Sequence, residues 1–229
     1  MLDSKFWGNY FRVYDVLNLC IPYQGMQETV IRGLDIRPGD LILDAGAGTG
    51  NLSLDIRRRG GRVVALDSSR EALEICLTKD RSIQVICHDL RSKLPFSDNY
   101  FDKIVSVNTI FLIKPELRED VIEEFYRVLK KNGKIILVNL KKDFRSLEIY
   151  HEHFRIIKKK EGLFEAIKQM LKFIVPSCKL FYYAKKITGE HFFLKEGEQM
   201  GILQKIGFRK ISKTEKVYAN QAFLNIAYK

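Results

Sequence analysis

The chain has 229 residues, with 39 Lys and Arg against 28 Asp and Glu, a formal charge of +11 at pH 7 and 46% hydrophobic residues. This composition excludes a chain disordered throughout and predicts one globular domain with room for an insertion. No apolar run reaches the ~18–20 residues of a transmembrane helix, and Met1-Leu2-Asp3-Ser4-Lys5 lacks the basic-then-apolar form of a secretory signal, so the expected location is cytoplasmic.

In chain order, residues 1–40 read as helical. Phe6, Trp7, Tyr10, Phe11, Tyr14 and Leu17 recur at helical spacing. Pro22 is expected to interrupt, with a second helix over 25–34 and a turn at Arg37-Pro38-Gly39-Asp40. Strands and helices then alternate. Strands are predicted at 41–44, 62–67, 83–87, 101–107 and 134–140. Helices are predicted at 51–59, at 69–78 with Ser68 or Ser69 as N-cap, and at 116–130, the last ended by Asn132-Gly133. Apolar strands alternating with helices predict a mostly parallel sheet covered on both faces, with its ligand at the carboxyl ends of the strands.

Residues 141–197 break that rhythm. Helices are predicted over 147–160, over 163–175 until Pro176 stops it, and over 180–187 until Gly189. This reads as a helical cap inserted after the fifth strand. The core resumes with a helix over 198–206, a Gly207 C-cap, and a hairpin pairing 208–218 with 222–228, which supplies the one antiparallel strand. The four cysteines, Cys20, Cys76, Cys87 and Cys178, form no Cys-x-x-Cys pair and are expected to be buried free thiols.

The chemistry lies in Leu41-Ile42-Leu43-Asp44-Ala45-Gly46-Ala47-Gly48-Thr49-Gly50. Glycines at alternate positions after a buried strand allow a sharp turn and a close backbone approach to a ligand. The following helix is expected to turn free N–H groups toward a polar or anionic group. A dinucleotide fingerprint needs its third glycine where Asn51 stands. Asp44 at the strand end favours a cationic partner, such as an amino or sulfonium group, over a pyrophosphate.

This motif resembles the first motif of the class I S-adenosylmethionine-dependent methyltransferases. The resemblance extends over 36–140 and 198–229, through Asp67 at the end of the second strand, Cys87-His88-Asp89-Leu90, Leu94-Pro95-Phe96-Ser97-Asp98, Ser106-Val107-Asn108, the turn at Asn132-Gly133, and Leu203-Gln204-Lys205-Ile206-Gly207-Phe208. It implies a Rossmann-like sheet of seven strands with helices on both faces. It also implies S-adenosylmethionine as cofactor, bound by Asp44, Gly46, Ala47, Gly48, Gly50, Asp67, Ser68, Asp89, Leu90 and Asn108. Asp67 would bond the ribose hydroxyls, Asp89 the adenine amino group, and Asn108 would lie beside the methionine moiety. Residues 1–140 and 198–229 would form the cofactor-binding core, with 1–35 as an N-terminal helical segment. Within the family, Phe6-Trp7 and Tyr14-Asp15-Val16-Leu17-Asn18 resemble the ubiquinone/menaquinone-biosynthesis methyltransferases and their small-molecule and lipid-modifying relatives.

No nucleophile or triad is visible, as the cofactor itself carries the activated methyl group. The candidates for a general base are His151, His153 and Tyr150, on the cap. His151 and His153 lie two apart on a predicted helix and point in different directions, so no metal site is expected. The basic excess decides between acceptor classes. Residues 141–200 hold 13 Lys and Arg against 8 Asp and Glu, and 201–229 hold 6 against 1, while 1–140 is nearly neutral. Lys158-Lys159-Lys160 and the aromatics Phe164, Phe173, Phe181, Tyr182, Tyr183, Phe192 and Phe193 concentrate there. The expected acceptor is therefore small and hydrophobic or lipid-like, of anionic character or presented at an anionic membrane surface. The alternative is RNA. Asn108 is followed by Thr109-Ile110-Phe111 rather than a Pro-Pro-Tyr, which opposes the methyltransferases that hold an adenine or glutamine amide there.

Overall fold

A computed structural model of the chain describes residues 9–11, 13–187 and 192–229, without the side chains of residues 175, 181 and 184–187. Phe6-Trp7, Gly189 and His191 lie outside the described residues. A 3-10 turn, Asp15–Leu19, leads into helix α1, Ile21–Leu34. The chain then runs β1 (Leu41–Ala45), α2 (Asn51–Arg58), β2 (Arg62–Asp67), α3 (Arg70–Lys79), β3 (Gln84–Cys87), β4 (Phe101–Val107), α4 (Arg118–Val128) and β5 (Leu129–Leu140). Helices α5 (Ser146–Glu161) and α6 (Leu163–Ile187) follow, then α7 (Glu198–Ile206), β6 (Glu215–Val217) and β7 (Ala222–Tyr228).

The strands form one seven-stranded sheet in the order β3-β2-β1-β4-β5-β7-β6. β7 is antiparallel to both its neighbours, β5 and β6, and the other pairs are parallel. Period-two alternation explains why the strands are apolar on both sides. Ile42, Val63, Val105 and Ile136 pack into the core that holds Met26, Val30 and Leu34 of α1, Ile56 of α2 and Leu73 of α3. Leu43, Val64, Ile104 and Ile135 face the opposite core, with Val121, Ile122 and Phe125 of α4 and Leu203 of α7. Each such side chain, fully withdrawn from water, contributes about 1.5–3 kcal/mol. The chain builds outward from β1 to β3, then crosses back to β4 on the other side of β1. That reversal opens a crevice at the carboxyl ends of β1 and β4.

Four expectations are corrected. Pro22 does not interrupt a helix. It occupies the first turn of α1, where its missing N–H is no loss and its fixed φ suits the helix. Helix α4 ends at Val128, and β5 starts at once, with Leu129 paired to Phe101 before a register shift. Pro176 lies inside a continuous α6 instead of ending it. The missing Pro176 N–H leaves the Lys172 carbonyl without its helical donor, and the neighbouring Ser177 hydroxyl donates to the Phe173 carbonyl at 2.6 Å. The first arm of the expected hairpin shortens to β6, because Lys210 takes a left-handed φ of 48° and Ser212 Oγ takes the Ile226 N–H.

Candidate active site

Asp44, the last residue but one of β1, is only 2% exposed. Its carboxylate accepts from the Ser53 hydroxyl at 2.6 Å and from the Ser53 N–H in the first turn of α2. Burial, opposed by those bonds and reinforced by the charge of Asp67, pushes its carboxyl up to about 7. At the end of β2, Asp67 accepts from Gly48 N–H on one oxygen and Ser69 N–H on the other, each at 2.9 Å. Burial raises its carboxyl too. With the Ser68 N–H also bonding it, the carboxylate still has room to accept a further donor.

The glycine turn between β1 and α2 is stitched to β2. Gly46 N–H and Ala47 N–H both donate to the Leu66 carbonyl, at 2.8 and 3.0 Å, and Gly50 N–H donates to Ala47 at 2.9 Å. The N–H groups of Gly46, Ala47, Gly48 and Gly50 are thus taken within the protein, and in the first turn of α2 the Ser53 N–H is taken by Asp44. Gly46 is required on steric grounds. Its φ is 81°, and a Cβ there would meet Thr109 Oγ1 at 2.2 Å. Thr109 follows Asn108, the residue ending the β4 side of the crevice. Asn108 itself is left-handed, with φ of 54°. Its N–H donates to the Val138 carbonyl at 2.7 Å, while its buried Oδ1 has no hydrogen-bond partner among the described residues.

These groups open into one cavity of about 970 Å³. Asp44, Gly46, Ala47, Gly48, Asp67, Ser68, Asp89, Leu90 and Asn108 all line it. Gly50 does not line it and instead starts α2 as its N-cap. Asp89 differs from its expected role in one respect. Both its oxygens are engaged by the Arg91 side chain, at 2.6 to 3.0 Å, and those bonds hold its carboxyl below the usual carboxylate range.

The far half of the cavity is aromatic. Phe111 stacks on Phe193 with ring centroids 5.5 Å apart and 3° between planes, and Phe193 stacks on Phe144 at 6.0 Å and 17°. Tyr150 of α5 and Phe173 of α6 pack against each other at 5.3 Å and line the same space. Of the three candidate bases, only Tyr150 borders the cavity. Its phenol is raised above the usual value by burial. His151 is exposed. His153 is buried, and its Nδ1 accepts from Ile21 N–H at 3.2 Å, where α1 begins. Burial lowers its pKa, so it is a neutral structural acceptor. Among the described residues no group of His, Cys, Asp and Glu is placed to hold a metal ion.

Sequence reasoning missed a polar hub on the crevice. Asp15 accepts from Thr49 Oγ1 at 2.6 Å and Asn51 Nδ2 at 3.1 Å. It also pairs with Lys79 at 2.7 Å. The N-terminal segment is thereby tied to the glycine turn and to α3, with Tyr10 and Tyr14 roofing the cavity. Burial raises the Tyr10 phenol to about 12, and that of Tyr14 rises for the same reason. The signal lay in Tyr14-Asp15-Val16-Leu17-Asn18, but the partners of Asp15 lie far along the chain.

Residues 42–133 match the family described as a methyltransferase domain. With the strand order and the glycine turn, this defines the class: the chain has the Rossmann-like fold of the class I S-adenosylmethionine-dependent methyltransferases. Among particular proteins, it is similar to the demethylmenaquinone methyltransferase of Oceanobacillus iheyensis, 28% identical over 140 residues, covering 57% of this chain and 58% of that protein. It is 31% identical over 133 residues to the enzyme of that name from Bacillus cereus, covering 54% and 55%. The chain thus spans little more than half the length of these curated relatives. In structure it is similar to a SAM-dependent methyltransferase from Aquifex aeolicus, with a TM-score of 0.60 and 20% identity, covering 93% of this chain and 92% of that one.

Proposed function

We propose that the chain is an S-adenosylmethionine-dependent methyltransferase for a small, flat, hydrophobic acceptor of the quinone kind. The observation that carries this reading is the continuity of one cavity. It runs from Asp44 and Asp67 at the strand ends to the ring stack of Phe111, Phe193 and Phe144. The strand-end half fits the methyl donor. Asp44 is a buried carboxylate with no ion pair among the described residues, and the donor carries an ammonium and a sulfonium. Asp67 has room to accept from a ribose hydroxyl, and the orphaned Asn108 Oδ1 is an acceptor in want of a donor. Ser68 and Leu90 wall the same half, and Asp89 would turn from Arg91 to meet the adenine. The core, 1–140 and 198–229, would hold the donor, and the cap, 141–197, the acceptor.

Bound in this half, the sulfonium supplies an activated methyl group for in-line displacement. The chain's own residues bind, orient and exclude water. Asp67 and Asn108 hold the donor half. The aromatic walls fix the acceptor plane and keep the site dry. Tyr150 and Tyr14 have phenols raised by burial, so at neutral pH they would donate hydrogen bonds to an acceptor oxygen, and the proton that the acceptor loses on methylation would be released to solvent.

The similarity to demethylmenaquinone methyltransferases supports the quinone class. RNA fits less well, since among the described lining residues only Arg91 and Lys114 are basic and much of the rest is aromatic or aliphatic. Two measurements test the reading. Calorimetry is expected to show S-adenosylhomocysteine binding, weakened about tenfold or more by Asp67→Ala, which removes charge-assisted hydrogen bonds. Label from the donor is expected to transfer to a short-tailed demethylmenaquinone kept chemically reduced as the quinol, whose electron-rich ring can attack the sulfonium methyl, and not to bulk RNA. Absence of S-adenosylhomocysteine binding, or transfer to RNA alone, would overturn it.

A further inference from the structure

Helix α6 is apolar on two sides. One side is accounted for, as Ala166, Phe173 and Ser177 are buried, and Phe173 and Leu180 line the cavity. The other is not. Phe164, Ile167, Leu171 and Ile174 recur at three- and four-residue spacing, which sets them on one stripe. All four are exposed, Phe164 by 82% and Leu171 by 63%. Cys178 and Tyr182 continue the stripe by four-residue steps and are exposed as well. Single exposed apolar residues are ordinary, but a contiguous stripe marks a surface that meets something.

Charge says what it meets. Lys168, Lys172 and Lys179 are exposed along one flank of the stripe, and Lys158, Lys159 and Lys160 are exposed at the end of α5, just before α6 begins. Glu165 is the one acidic residue in the whole of α6. A second copy of this chain would bring the same lysines with no acidic row to match. No helix among the described residues is long and apolar enough to cross a membrane. We propose that α6 lies on an anionic bilayer surface, with Phe164, Ile167, Leu171 and Ile174 among the acyl chains and the lysines at the headgroups. The same helix would then hold the cavity beside the medium in which an apolar acceptor dissolves. That last link rests on the proposed function, whereas the surface itself does not.

The test is cosedimentation of the full chain with vesicles of phosphatidylcholine alone and of phosphatidylcholine with a third phosphatidylglycerol. Binding is expected to be about tenfold or more tighter on the anionic vesicles, and to weaken as salt rises. Phe164→Ser combined with Leu171→Ser is expected to cut it by about tenfold or more, with circular dichroism and S-adenosylhomocysteine binding unchanged. Lys168→Gln with Lys172→Gln is expected to remove the preference for anionic vesicles. Equal sedimentation of the wild type and F164S/L171S would overturn the proposal. So would a dimer in ultracentrifugation that the same pair abolishes while no vesicles bind. S-adenosylhomocysteine binding, measured separately, tells a failure of the functional reading from a failure of this one.

Discussion

Asp44 is a buried carboxylate whose bonds come from one residue, Ser53. With its carboxyl raised from 3.8 to about 7, protonation favours the native state. The stabilisation is fully present below the unfolded value and is lost as pH rises toward 7. Close to neutrality the group is therefore part-protonated and poised. A cationic ligand group beside it would lower the carboxyl again and expel the proton. Calorimetric titration with S-adenosylhomocysteine near pH 7, in two buffers of unlike ionisation heat, is expected to show release of part of a proton. Asp44→Asn is expected to abolish the release and weaken binding by roughly tenfold. Heats in the wild type that do not depend on the buffer would remove Asp44 from the cationic side of the site. Asp67 is the contrast, because two backbone N–H groups already support its charge.

At the scale of elements, the crevice is closed by a connection between parts far apart in sequence. The 3-10 turn Asp15–Leu19 carries Asp15 to Thr49, Asn51 and Lys79. Lys79 bonds Asn51 in turn, at 2.7 Å. Asp15→Ala leaves Lys79 and Thr49 short of a partner in a half-buried place, a loss of about 1–3 kcal/mol. We expect a lower urea midpoint with an unchanged slope, faster proteolytic cutting before residue 20, and S-adenosylhomocysteine affinity lowered several-fold. An affinity equal to the wild type would show that this turn does not hold the donor half. The same comparison explains what could be read in advance. β1, β2, β4 and the 134–140 part of β5 were legible because they are buried on both faces and so are written as largely apolar runs. The glycine turn was legible because Gly46 has no room for a Cβ beside Thr109. Asp15 was not, since nothing local marks a carboxylate whose partners follow many residues later. Pro176 misled for a related reason: the burial of Ala166, Phe173 and Ser177 against the rest of the molecule holds α6 continuous where local rules end it.

Across the whole molecule, charge and cavity divide along the same line. Residues 1–140 are nearly neutral and supply the strand ends, while the basic excess follows residue 140, where Phe144, Tyr150, Phe173, Phe192 and Phe193 join Phe111 in the aromatic half. The aromatics of 141–200 also split. Phe173, Phe192 and Phe193 turn into the cavity, and Phe164 and Tyr182 turn to solvent, so composition had run together two surfaces with different tasks. If the two halves of the cavity serve donor and acceptor separately, damage to one should leave the other intact. Phe193 stands between Phe111 and Phe144 in the stack. Its loss removes these stacking contacts, each worth about 0.5–1.5 kcal/mol beyond area burial, and with them a wall of the space proposed for the acceptor. Phe193→Ala is therefore expected to raise KM for a flat quinol acceptor by about tenfold, with S-adenosylhomocysteine affinity unchanged. Asp67→Ala is expected to do the reverse, and the double variant to show the sum of the two free-energy losses. A Phe193→Ala enzyme that loses the donor as well as the acceptor would mean that the two halves act as one site.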